Sequence, residues 1–74
     1  MAQPELRELQ LTLSNNIRDL RTQKGLSQER LALEAGVDRT LVSKIERVIA
    51  NPTLEVLVRL AIALEVPMPR LLKK

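Results

Sequence analysis

The stretch Gln28–Arg47, QERLALEAGVDRTLVSKIER, decides the fold. Leu31, Ala32 and Ala35 place an apolar stripe on one face of a short helix, and Ala32 is small enough for another helix to cross closely. Gly36 falls where the chain must reverse, at a position that commonly demands φ > 0. Val37 plugs the corner, Asp38 is suited to cap the next helix, and Val42 and Ile45 are that helix's inward residues. Two short helices, about 28–35 and about 38–47, joined by a tight turn are therefore expected.

What the second helix points outward matters most for function. At about 100° per residue with Arg39 at the origin, Ser43 lies at about 40°, Arg47 at about 80°, Thr40 at about 100° and Lys44 at about 140°. Val42 and Ile45 fall on the opposite side, at about 300° and about 240°. One face is dry, and the other carries hydrogen-bond donors, three of them cationic. Arg, Lys, Ser and Thr also make ordinary solvated faces, so it is the complete turn pattern that gives this one a purpose. Two helices in this layout set the second into the major groove of DNA, where donors meet phosphates and base-edge acceptors.

Outward from this stretch the chain reads as all helix. Gly25 ends a first helix and Ser27 caps the second. Pro4 and Glu5 could open the first helix and carry it to about Lys24, with Leu6, Leu9, Leu13, Ile17 and Leu20 near one stripe. Thr12 or Ser14 could instead cap a shorter helix, leaving the first eleven residues as an arm; the sequence leaves both readings open. Residues 1–12 are thus an N-terminal extension, arm or start of helix one, and residues 13–74 the folded domain. Thr53, after Pro52, caps a fourth helix whose Leu54, Leu57, Leu60, Ala61 and Leu64 face the core, and a short fifth helix follows Pro67 around Leu71 and Leu72. The fold class is all-α, a compact five-helix bundle.

Composition narrows the function by exclusion. Seventy-four residues make one small domain. The chain has no cysteine and no histidine, which leaves no disulfide, no thiolate metal site and no usual general base; no enzymatic activity is expected. It has no aromatic residue either, which argues against base stacking on single strands or RNA loops. No stretch approaches a membrane span and no signal-peptide layout opens the chain, so a cytoplasmic protein is expected. The net charge of +3 is only mildly basic, and it is the placement of Arg39, Lys44 and Arg47 on one helix face that counts. Lys73 and Lys74 read as a solvated end.

The segments Ile17–Gln28 (IRDLRTQKGLSQ), Gln28–Arg47 and Asn51–Leu64 (NPTLEVLVRLAIAL) together resemble the Cro/C1-type, lambda-repressor-like (XRE-family) helix-turn-helix domains of phage repressors and bacterial regulators, over roughly residues 13–72. Asp38–Arg47, DRTLVSKIER, is similar to the small controller proteins of restriction–modification systems. The resemblance implies a lambda-repressor-like bundle that binds pseudo-palindromic double-stranded DNA as a two-fold homodimer, its recognition helices about 34 Å apart. With neither cysteine nor histidine and no separate ligand domain, no cofactor, metal or small-molecule ligand is expected. The resemblance also implies an ion pair between Arg21 on helix one and Glu46 at the end of helix three, and the angular position of Glu46, at about 340°, puts its carboxylate partly indoors.

DNA roles follow from chemistry. Arg39 and Lys44 suit guanine N7 and O6, Thr40 can donate to a base or set its methyl against that of thymine, and Ser43 fits where the helix lies deepest. Ser27 and Gln28, at a helix N-terminus, are candidates for phosphate, as are Arg47 and Asn51 beside the groove; the Gln28 amide could alternatively brace Arg39. For a dimer surface, Leu64, Val66, Met68, Leu71 and Leu72 are candidates, with Leu6 and Leu9 as a second possibility.

The sequence departs from the family pattern at Val48 and Glu65, where glycines are usual, and at Ile49 and Ala50, where polar or basic loop residues are common. A β-branched residue resists φ > 0, so either helix three runs on or the loop takes another path. Val48 and Ile49 either tuck into the core or form an exposed apolar patch. The expected function is a sequence-specific transcriptional regulator; the alternative is a protein-interaction module such as the antitoxin of a toxin–antitoxin pair, for which that patch is the only hint.

Overall fold

All four α-helices end on the same device. In the computed structural model, which describes residues 4–74, these are α1 (Pro4–Gln23), α2 (Gln28–Ala35), α3 (Leu41–Glu46) and α4 (Leu54–Leu64), followed by a 3-10 helix, Met68–Leu72. Past each α-helix, the residue in the left-handed region donates its N–H three residues back, and the next residue donates five back. The pairs are Gly25 to Thr22 with Leu26 to Arg21, Gly36 to Leu33 with Val37 to Ala32, Val48 to Ile45 with Ile49 to Lys44, and Glu65 to Ile62 with Val66 to Ala61. Each is a Schellman motif that satisfies two carbonyls of the last turn.

Two of the four left-handed residues are the expected glycines, Gly25 and Gly36, both at φ 70°. The other two are Val48 at φ 62° and Glu65 at φ 61°. Neither alternative drawn from the Val48 substitution holds: α3 does not run on and its loop takes no other path. The Schellman hydrogen bonds and the packing of the following segment hold an unfavourable backbone in place. Glu65 is exposed and its carboxylate pairs with Lys24, holding its carboxyl below the usual range. Substituting Glu65→Gly should relieve the strained φ and raise the melting temperature by about 4 °C. Val48→Gly should change it little, because the same relief is offset by loss of a half-buried side chain. Thermal denaturation of both variants checks this; a lower melting temperature for Glu65→Gly would contradict it.

The core is built from every helix: Leu13, Ile17 and Leu20 of α1, Leu31, Ala32 and Ala35 of α2, Val42 and Ile45 of α3, Leu57, Leu60, Ala61 and Leu64 of α4, and Leu71. α1 packs on α3 and the 3-10 helix, while α2 packs on both α3 and α4. Ser27 and Thr53 cap α2 and α4 as read, each side chain accepting from the N–H three residues on.

Several expectations need correction. Leu54, assigned to the core, is 68% exposed: the repeat puts it only about 20° beyond buried Ala61, but it is the first residue of α4, at the edge of what the neighbouring elements cover. Helix one is continuous from Pro4, but its buried stripe begins only at Leu13; Leu6 and Leu9 are exposed, and residues 1–3 of the proposed extension lie outside the described residues. Ser14 is no cap: it is buried mid-helix and its hydroxyl donates to the Glu46 carbonyl at 2.8 Å. α3 is shorter than 38–47, its first turn being a capped turn at residues 38–40.

The fifth element is a 3-10 helix, so the described residues form four α-helices. Pro69 has no N–H to give, and the bonds from Arg70 to Pro67 and from Lys73 to Arg70 span three residues. Asn16 fastens this element by donating to the carbonyls of Leu71 at 2.9 Å and Lys73 at 2.8 Å. Of the dimer candidates, Leu64 and Leu71 are fully used in this chain's own core, and Val66, Met68 and Leu72 are half-buried against it. The Val48–Ile49 alternative resolves into halves: Val48 is half-buried and Ile49 is exposed.

Candidate nucleic-acid interface

The interface begins with a buried carboxylate. Glu46, last residue of α3, is 4% exposed. Arg21 of α1 grips it with two N–H groups, Nε to Oε2 at 2.7 Å and Nη2 to Oε1 at 3.0 Å. Gln28 Nε2 donates to Oε1 at 2.9 Å, and Arg18 adds a longer contact at 3.4 Å and donates to the Glu46 carbonyl at 3.1 Å. Among the described residues no buried side-chain nitrogen or oxygen lacks a partner. Burial by itself would favour the neutral acid, but the Arg21 and Gln28 hydrogen bonds and the charges of Arg21 and Arg18 outweigh it, so the carboxyl titrates below its ordinary value. One side chain thereby ties α1, the start of α2 and the end of α3 together.

That tie fixes an open groove between the start of α2 and the outward face of α3. Its lining is Ser27, Gln28, Glu29, Arg39, Thr40, Ser43 and Arg47. Val42 and Ile45 are buried behind it, so α3 has the dry and wet faces expected of it. Ser27 Oγ caps the Arg30 N–H, leaving the N–H groups of Gln28 and Glu29 in the first turn of α2 without intrahelical acceptors, aligned for an anion.

Six of the eight residues assigned to DNA meet here. Lys44 is exposed on α3 but does not line the groove, and Asn51 lies elsewhere, in an apolar groove with Leu6, Leu9, Leu13, Pro52 and Leu57. The roles also shift. The Gln28 amide, expected on phosphate or on Arg39, is committed to Glu46. Arg39 is braced by Glu29 instead, Nη2 to Oε2 at 2.8 Å. The Thr40 hydroxyl donates to Asp38 Oδ1 at 2.6 Å and its N–H to the same atom at 2.8 Å. Those two bonds lower the Asp38 carboxyl from its ordinary value. Thr40 therefore offers a base its oxygen lone pairs and methyl, and its hydroxyl proton is already used.

The Arg21–Glu46 pair is present as expected, but Arg18, Ser14, Asn16 and Glu29 were missed. Arg18 and Asn16 sit off the apolar stripe of α1 and look like ordinary surface residues in sequence. Only Glu29 left a signal, a carboxylate beside the Gln28 position at a helix start.

No helix among the described residues is long and apolar enough to cross a membrane. Residues 17–71 match the helix-turn-helix family HTH_3. The chain is 42% identical over 69 residues to a hypothetical transcription factor of Neisseria meningitidis, covering 93% of this chain but 65% of that relative's length. A crystal structure of a hypothetical transcription factor from Neisseria superposes with a TM-score of 0.85 over 88% of this chain and 75% of that one, at 43% identity. The control protein C.SmaI of Serratia marcescens is 42% identical over 62 residues, 84% of this chain and 74% of that protein. The restriction–modification controller protein C.Esp1396I, crystallised as a tetramer with its natural 35 base-pair operator, matches with a TM-score of 0.74 and 34% identity over 88% of this chain and 96% of that one.

Proposed function

The chain belongs to the helix-turn-helix family HTH_3, and from that premise we propose that it is a transcriptional regulator of the restriction–modification controller type, which reads operator DNA in the bacterial cytoplasm. The observation that carries this is the groove: donors from the start of α2, from the turn into α3 (Arg39, Thr40), from α3 itself (Ser43) and from its C-cap (Arg47) converge on one open face, while the opposite face of α3 is fully buried. Arg39 and Ser43 are the base-reading residues, Thr40 contributes its methyl and lone pairs, and Lys44, outside the groove lining, meets the DNA backbone instead. Ser27, the α2 N-terminus and Arg47 hold the backbone; Asn51, in the apolar groove elsewhere, takes no part.

Reading a pseudo-palindrome requires two copies related by a two-fold axis. With Leu64 and Leu71 spent in the core, the dimer surface we propose is the outward stripe of α4: Leu54, Val58 and Ile62, all exposed and each one helical turn apart. An antiparallel approach of two such helices about Val58 sets Leu54 of each copy against Ile62 of the other. C.Esp1396I appears as a tetramer on 35 base pairs, and assembly of more than one dimer on operator DNA is carried over from it to this chain.

Selection of bound duplexes from a random pool at ~150 mM salt tests the reading. The expected product is an inverted repeat with half-sites about one helical turn apart; only weak, sequence-blind binding would overturn it. Val58→Glu should convert the dimer to a folded monomer in sedimentation equilibrium and remove the preference for the repeat. A variant that remained dimeric would place the interface elsewhere.

A further inference from the structure

The open face holds one residue that the reading above, on which this inference rests, does not use. Glu29 is a carboxylate on a surface otherwise lined by Ser27, Gln28, Arg39, Thr40, Ser43 and Arg47. A negative charge there repels phosphates and lowers affinity for any DNA sequence. Its Oε2 accepts from Arg39 Nη2 at 2.8 Å, across the groove between α2 and the turn that leads into α3. The two side chains are 68% and 79% exposed, so no packing restrains either of them. An unbraced arginine at such a position samples many rotamers, and all that freedom is lost when it meets a base. Exposed pairs contribute little to stability, so any benefit of this one must lie in what Arg39 does.

We propose that Glu29 is a positioning residue for sequence discrimination: it holds the Arg39 guanidinium in the orientation that reads guanine, at the expense of sequence-blind affinity. One Nη2–H is used by Glu29, and the other four N–H groups of the planar fork remain for N7 and O6. Gln28 is unavailable for the same task because Glu46 holds its amide. The specificity of the site is therefore shared between a reader on the α3 side and a brace on α2.

The test is a set of titrations of full-length wild type, Glu29→Gln, Glu29→Ala, Arg39→Ala and Glu29→Ala/Arg39→Ala against the selected operator and a scrambled duplex. Glu29→Ala should bind the scrambled duplex about two-fold more tightly, as one repulsive charge is gone. Its operator-to-scrambled ratio should fall about five-fold, within what one bidentate base contact supplies. Glu29→Gln, which is isosteric and keeps the fold if alanine does not, should fall between. In the Arg39→Ala background, removing Glu29 should leave the ratio unchanged. A ratio indifferent to Glu29, or one that falls equally without Arg39, overturns the inference alone. A wild type with no preferred sequence overturns the functional reading with it.

Discussion

Replacing Glu46 by alanine is expected to destabilise the domain by about 3–5 kcal/mol, a large part of what a domain of this size has. The loss is not that of one ion pair. Arg21 is only 14% exposed at its side chain, and without Glu46 its guanidinium keeps just the Leu26 carbonyl, at 2.9 Å. The Gln28 amide loses its acceptor as well. Both are then polar groups held away from water with too few partners. Acid should reproduce part of this effect. The Glu46 carboxyl is depressed in the folded state, so its contribution is complete above the unfolded value of about 4.3 and is lost as pH falls through the lower folded value. Urea denaturation at pH 7, 4 and 3 should show wild-type stability falling across that window, with a shallower fall for Glu46→Gln. An unchanged acid slope in Glu46→Gln, or a stable Glu46→Ala that no longer binds DNA, would show that the residue acts in recognition and not in architecture.

Arg39→Ala should cost operator binding about 1–3 kcal/mol, roughly five- to 150-fold, with a much smaller loss on a scrambled duplex. The difference between those losses is the prediction, since removal of a phosphate contact weakens binding to both alike. Arg39→Lys should not restore it, because an ammonium lacks the planar fork that meets N7 and O6 together. Lys44, outside the groove lining, should behave in the opposite way: its alanine variant should lose affinity for both duplexes and reduce the salt dependence by about one phosphate contact. Titrations at several salt concentrations separate the two behaviours. Equal losses on both duplexes for Arg39→Ala would remove it from base readout.

The helix boundaries were legible where the signal is local. Ser27, Gly36 and Thr53 act within three residues of themselves, and each caps or turns the chain as its chemistry predicts. The backbone at Val48 and Glu65 was not legible, because residue preference says glycine while the helix-end hydrogen bonds and the packing beyond them impose φ near 60° anyway. Apolar periodicity found the core of α4 but misassigned Leu54, since a stripe's edge is set by the neighbouring helix and not by the repeat itself. Similarly, Leu71 looks free for a dimer surface until the 3-10 helix is folded back onto α1 by Asn16, whereas Leu64 is in the core where the repeat put it. In the site, the residue set could be found from the angular pattern of α3, but the division of labour could not. Which acceptor takes the Gln28 amide, and which residue braces Arg39, depends on how α2 packs against α3 and the turn before it, which the angular pattern of one helix does not show.

The most direct test of the central claim, that the outward face of α3 reads base edges in the major groove, is methylation interference on the selected operator with dimethyl sulfate. That reagent marks guanine at N7, in the major groove, and adenine at N3, in the minor groove. Interference at guanine N7 in two half-sites about one turn apart, with adenine N3 methylation tolerated, is the predicted pattern. Binding that tolerates every N7 methyl group but is blocked by N3 methylation would place the protein in the minor groove and contradict the account.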